Sequence, residues 1–113
     1  MSAVTMSDLA MPLHVLRLLA WDFPGLPAMD VQVSPIFPNE LELASYGDFG
    51  AFEAWREALG IRPESVTYRE QTAGRTRVLR AAVDVDGVRV CLIGFSAVVS
   101  FQDTALTAAG GAR

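Results

Sequence analysis

The chain has 113 residues, 51% of them hydrophobic and 19% charged, enough to bury one core of ordinary size without covalent staples. Its one cysteine, Cys91, leaves no intramolecular disulfide and no multi-cysteine zinc site, which fits a reducing, cytoplasmic setting. The formal net charge is -4 and lysine is absent, so a kinase-type strand lysine is excluded, and phosphate neutralisation by a general excess of positive charge is disfavoured.

The charge is unevenly spread. Residues 1–61 hold Arg17 and Arg56 against eight acids, whereas residues 62–89 hold six arginines against Glu64, Glu70, Asp84 and Asp86. A single domain is expected over 1–113, with an ordered core of about 8–99 and flexible termini. Pro12 suits the first turn of a helix that begins after Ser7 or Ala10. Leu13, Leu16, Leu19 and Ala20 give that helix an apolar stripe, widened by Val15 and Leu18, with His14 and Arg17 on the wetter side. The stretch "LHVLRLLAW" is too short to span a bilayer and carries His14 and Arg17, so neither a membrane span nor a signal peptide is expected. "DFPGLP" ends the helix, because Pro24 and Pro27 disfavour helical geometry just before them.

From Asp30 the period becomes two: Val31 and Val33 alternate with Gln32 and Ser34, and Leu41 and Leu43 with Glu40 and Glu42. "SPIFPN" supplies the turn of a hairpin, and Pro35 and Pro38 suit a sheet edge. "SYGDFGAFEAWREALGI" then reads as an amphipathic helix. Asp48 stands as N-cap, Phe49, Phe52, Trp55 and Leu59 fall on or near one face, and Glu53, Arg56 and Glu57 lie on the other. Gly60 is its left-handed terminator, with Ile61 as the hydrophobic contact beyond. The embedded Asp48-Phe49-Gly50 triplet is helix punctuation rather than a magnesium site, since the other parts of a kinase are missing.

"VDVDGVRV" places Asp86-Gly87 as a type I′ turn, setting Val85 opposite Val88, Asp84 opposite Arg89, Val83 opposite Val90, Ala81 opposite Leu92 and Leu79 opposite Gly94. A turn at Ala73-Gly74 would set Glu70 opposite Arg77 and Tyr68 opposite Leu79. Val66, Tyr68, Leu79, Ala81, Val83, Val85, Val88, Val90 and Leu92 then share a core face, with Tyr68, Val83 and Val90 expected dry beneath the helices. The opposite face holds Arg69, Gln71, Val78, Arg80, Ala82, Arg89, Cys91, Ile93 and Phe95, and its apolar corner calls for a cover: the first helix, the "SFQDTALTAA" tail, or a second copy. The tail itself reads as weakly ordered. The fold class is α+β, a two-layer sandwich of about five mostly antiparallel strands with two helices in the order α-β-β-α-β-β-β.

Chemistry-bearing residues are few. His14 is the only histidine, and Cys91, its obvious partner to test, sits mid-strand, where a small buried hydrophobe is the usual occupant. Glu40 with Glu42, and Asp84 with Asp86, are strand neighbours on a solvated face rather than convergent acid and base pairs. No metal-ligand spacing is found, "TAGRTR" lacks the following helix of a phosphate loop, and no catalytic residue, cofactor or metal is expected. Arg69, Arg80 and Arg89, with Phe95 farther along the same face, loosely echo a nucleic-acid platform of cations and stacking rings. Trp21, Phe23, Phe37, Ile93 and Phe95 are the candidates for an interaction surface.

The run "GLPAMDVQVSPIFPNELELASYGDFGAFEAWREALGI", followed by "VTYREQTAGRTRVLRAAVDVDGVRVCLIGFSAV", resembles small uncharacterised proteins of high-GC actinobacteria, some borne by phages or mobile elements. The resemblance covers most of residues 13–99, rests chiefly on "FEAWREALG", implies an intracellular and regulatory setting, and supplies no site residue. The expected function is that of a non-enzymatic binding module, a homodimer that also engages a partner protein. A nucleic-acid accessory role on the arginine face is the alternative, and a small-molecule enzyme or binding protein comes third.

Overall fold

The computed structural model describes residues 3–71 and 75–97. A short 3-10 turn, Met6–Leu9, leads into helix α1 (Ala10–Asp22), followed by strands β1 (Asp30–Ser34) and β2 (Phe37–Gly47) and helix α2 (Gly50–Ala58). A second 3-10 turn, Pro63–Ser65, precedes β3 (Thr67–Gln71), β4 (Thr76–Val85) and β5 (Val88–Ala97). The five strands form one sheet in the order β1-β2-β5-β4-β3, with β2 parallel to β5 and every other pairing antiparallel. This is the expected α+β order, with helices and core on one side of a mostly antiparallel sheet.

Local chemistry explains the meander. Asp86 (φ 51°) and Gly87 (φ 82°) both occupy the left-handed region that a two-residue type I′ turn requires. Asp84 therefore faces Arg89, Val83 faces Val90 and Leu79 faces Gly94. Asn39 ties the start of β2 to this turn, its Nδ2 donating to the Gly87 carbonyl at 2.7 Å. On the next ladder Glu70 faces Arg77 and Tyr68 faces Leu79; the Ala73-Gly74 turn proposed to set that register lies outside the described residues.

Helix α2 ends as its sequence dictates. Gly60 takes φ +72°, its N–H donates to the Glu57 carbonyl at 3.1 Å, and the Ile61 N–H donates to the Arg56 carbonyl at 3.0 Å, the paired bonds of a Schellman termination. Arg56 adds a second clamp, donating from Nη1 to the Ile61 carbonyl at 2.6 Å. The start differs from expectation by one residue. Asp48 Oδ1 accepts from the Gly50 N–H at 2.8 Å, while Phe49 is the N-cap residue whose carbonyl accepts from Glu53. The aspartate thus closes an Asx turn immediately outside the helix.

The core joins Val15 and Leu19 of α1, Phe52 and Trp55 of α2, Ile61, and Leu41, Leu43, Ala81, Val88, Val90 and Leu92 of the sheet. Two expectations need correction. Helix α1 buries Pro12, Val15 and Leu19 with Leu16 half-buried, whereas Leu13 and Ala20 are exposed. Apolar residues nearly encircle this helix, so periodicity alone does not select its inner face, and Pro12 joins the stripe instead of merely punctuating the start. Tyr68 lies on the core face by register but is 52% exposed, because every residue of β3 is exposed at the sheet edge; Val90 is dry and Val83 half-buried. The Tyr68 hydroxyl donates to Glu70 at 2.7 Å, and that bond to a carboxylate holds the phenol above its ordinary pKa.

The first hairpin is tighter than its sequence suggests. Ser34 faces Phe37 directly, so the turn is Pro35-Ile36 and the rest of "FPN" already belongs to β2. Pro38 is tolerated because the β2–β5 ladder starts only at Glu40. On the second sheet face Ala44, Val78 and Ile93 are buried and Phe95 packs against them. Helix α1 contributes its side chains to the first face and is therefore not the cover of this corner; the tail lies outside the described residues. No helix among the described residues is long and apolar enough to cross a membrane.

Candidate interaction surface

The sheet separates the two side chains that nucleophilic catalysis would need. His14 is exposed on α1, above the core face, whereas Cys91 alternates with the buried Val90 and Leu92 and projects to the opposite face. Burial pushes the Cys91 thiol above its ordinary pKa, the charge of Glu40 (4.0 Å from Sγ) adds to this, and Arg89 opposes it. A thiol held in its protonated form is a poor nucleophile. Among the described residues no group of three or more His, Cys, Asp and Glu is placed to hold a metal ion.

Arg69, Arg80 and Arg89 project from the second face, where the ladders set them opposite Val78, Ile93 and Asp84 respectively. Arg80 and Arg89 border an open groove of about 420 Å³ with Ser65, Thr67, Cys91 and Ile93; Arg69 lies outside it. Arg89 is flanked in register by Glu40 and Asp84, so acids sit on both sides of this cation. Phe95 stacks on Tyr46 with ring centres 5.1 Å apart and planes 6° from parallel, and Tyr46 is 64% exposed. Arg77 belongs to the other face, its guanidinium 5.2 Å from the centre of the Phe49 ring.

The five aromatic and apolar candidates do not form one patch. Trp21 stands 82% exposed on α1 and Phe37 58% exposed at the hairpin, while Ile93 is only 3% exposed and packs with Val78 and Ala44. Phe23 is half-buried and meets Trp55 edge to face, with centres 6.2 Å apart and planes at 71°.

Phe23 nevertheless leads to the most distinctive surface. Between α1, the connection that follows it, and β1 lies an apolar groove of about 240 Å³, lined by Leu16, Phe23, Leu26, Met29, Val31 and Trp55 among others. Its wall is fixed at two points: Phe23 N–H closes α1 on the Leu19 carbonyl at 2.9 Å, and Trp55 Nε1 donates to the Pro27 carbonyl at 2.7 Å. Trp55 thus fills the core with its ring while its one donor pins a loop 28 residues away in the chain. The groove borders β1, which pairs with β2 on one side and with no described strand on the other. Val31, at that edge, is 46% exposed on the helix side of the sheet.

The sequence reading passes over Leu26 and Met29 and takes Val31 only as an alternating strand residue. The available signal is "GLPAM": Leu26 and Met29 are large apolar residues in a Pro-containing connection, where no regular element buries them, and Val31 follows in the edge strand. The chain matches no protein-family model, no curated protein and no solved structure.

Proposed function

We propose that the protein is a non-enzymatic binding module that associates with itself and engages another protein through its β1 side, in the reducing cytoplasm that its free Cys91 suits. The observation that carries this reading is an apolar groove set beside the outer edge of β1, which no described strand covers. An open edge supplies backbone donors and acceptors, and an adjoining apolar trough receives alternate side chains, the two components of strand-addition binding. The likeness to small actinobacterial and phage-borne proteins adds an intracellular, regulatory setting. Met29→Glu places a charge in the groove wall, while Met29 is only half-buried and the fold should survive. A partner retained by the natural chain is therefore expected to be lost from Met29→Glu, and equal retention by both contradicts the reading.

A nucleic-acid accessory role has its own support, the groove that Arg80 and Arg89 share on the face where Tyr46 stacks on Phe95. The net charge of -4 weighs against it. Salt-dependent retention on single-stranded DNA or RNA, abolished by Arg80→Glu, is the expected behaviour under this second reading; no retention at low salt ends it.

A further inference from the structure

We propose that β1 is a self-pairing edge, through which two copies of the chain join antiparallel about a two-fold axis at Gln32 and run their five-stranded sheets into one. This rests on the β1 side being the binding surface and names its occupant as a second copy. The strand "DVQVS" has apolar residues at the same places when read in either direction. Pairing centred on Gln32 puts Val31 opposite the partner's Val33 and Asp30 opposite the partner's Ser34, so no like charges meet. The same register keeps both helix layers on one side of the joined sheet, because a shift by one residue would turn every side chain over. The partner's Val33 then lies beside Val31 at the rim of the apolar groove, covering a valine that is 46% exposed in the single chain.

The opposite edge of the described sheet, β3, is built differently. In β3, "TYREQ", the equivalent pairing centred on its middle residue would oppose Arg69 to the partner's Arg69 and leave Tyr68 against the partner's Glu70. Charges on an exposed edge are a recognised guard against such pairing, and β1 has none at its centre, although its register on β2 shifts between Gln32 and Ser34. Of the two edges, only β1 combines a self-complementary pattern with an apolar trough alongside it.

Sedimentation over a wide concentration range tests this with three variants, each checked for folding by circular dichroism. Gln32→Lys and Gln32→Glu each place like charges face to face at the axis and weaken the dimer by up to about fivefold. An equimolar mixture of the two restores it through mixed dimers. The mixture is decisive because Glu42 flanks Gln32 within the same chain and biases the single variants unequally. Val31→Asp, which brings a carboxylate to the apolar rim, weakens association by more than either. A chain that stays monomeric at every concentration overturns the proposal, as do variants that dimerise like the natural chain or a mixture with no recovery. A monomer that still retains a partner in a Met29-dependent way sinks self-pairing alone; loss of both sinks the binding surface as well.

Discussion

Gly94→Ala probes how closely α2 lies on the sheet. Gly94 is in β5, opposite Ser45 of β2 and Leu79 of β4, directly under the start of the second helix. A Cβ there would stand 3.1 Å from Phe52 Cβ, 3.2 Å from Phe49 Cδ1 and 3.3 Å from Phe52 Cδ2. Phe52 is fully buried, so its ring has no free volume to turn into, and relief must come from moving the helix by a few tenths of an ångström. Overpacking of this kind costs about 1–3 kcal/mol. Alanine also restricts the unfolded chain, which offsets about 0.4–1 kcal/mol, so the midpoints of the two ranges leave a net destabilisation of about 1.3 kcal/mol. Thermal unfolding followed by circular dichroism should show a melting temperature lower by roughly 5–15 °C. Adding Phe49→Leu, which trims the nearer ring, should recover part of the loss. An unchanged or raised melting temperature for Gly94→Ala would refute the close contact between α2 and β5, and with it the way the sheet holds Trp55 against the groove.

Three other outcomes follow from particular contacts. Gly87→Ala forces a Cβ onto a residue at φ 82° and should cost about 1–2 kcal/mol in urea unfolding, with the loss traced to the β4–β5 turn. Trp55→Phe keeps an aromatic ring in the core but removes the donor to Pro27, costing about 1 kcal/mol and loosening the groove wall, read as weaker fluorescence of an apolar dye bound to the protein. For Cys91 the raised pKa means less thiolate at a given pH than an ordinary thiol has. Its reaction with a disulfide reagent at pH 8 should therefore be slow in the folded chain and keep rising at higher pH, and Glu40→Gln should accelerate it; rapid labelling of the natural chain at pH 7 would contradict the environment described for this thiol.

What the sequence discloses is what short-range chemistry determines. The Asp86-Gly87 turn fixes a register that runs the length of β4 and β5, because only one pairing satisfies two positive φ angles and keeps the valines on one face. Gly60 and Ile61 likewise announce the end of α2 through bonds that span only a few residues. Alternation tells which face Tyr68 joins but not whether anything lies over it, so a residue read as dry is open at the edge. The parallel neighbour of β2 is set by where α2 and the meander return the chain, information that no local window contains. The groove was illegible for the same reason: Leu16, Leu26, Val31 and Trp55 come from four separate segments and meet only after the sheet has formed. Even Arg80 and Arg89, correctly assigned to one face, reveal their flanking Glu40 only through that parallel ladder.

Hydrogen exchange in β1 and β3, the outer strands of the described sheet, measured at rising chain concentration, bears most directly on β1 as the binding edge. The account predicts that the amides of β1 that point away from β2 gain protection as concentration increases while those of Thr67–Gln71 exchange at a constant rate. Concentration-independent exchange along β1, or protection that builds on β3 instead, would contradict it.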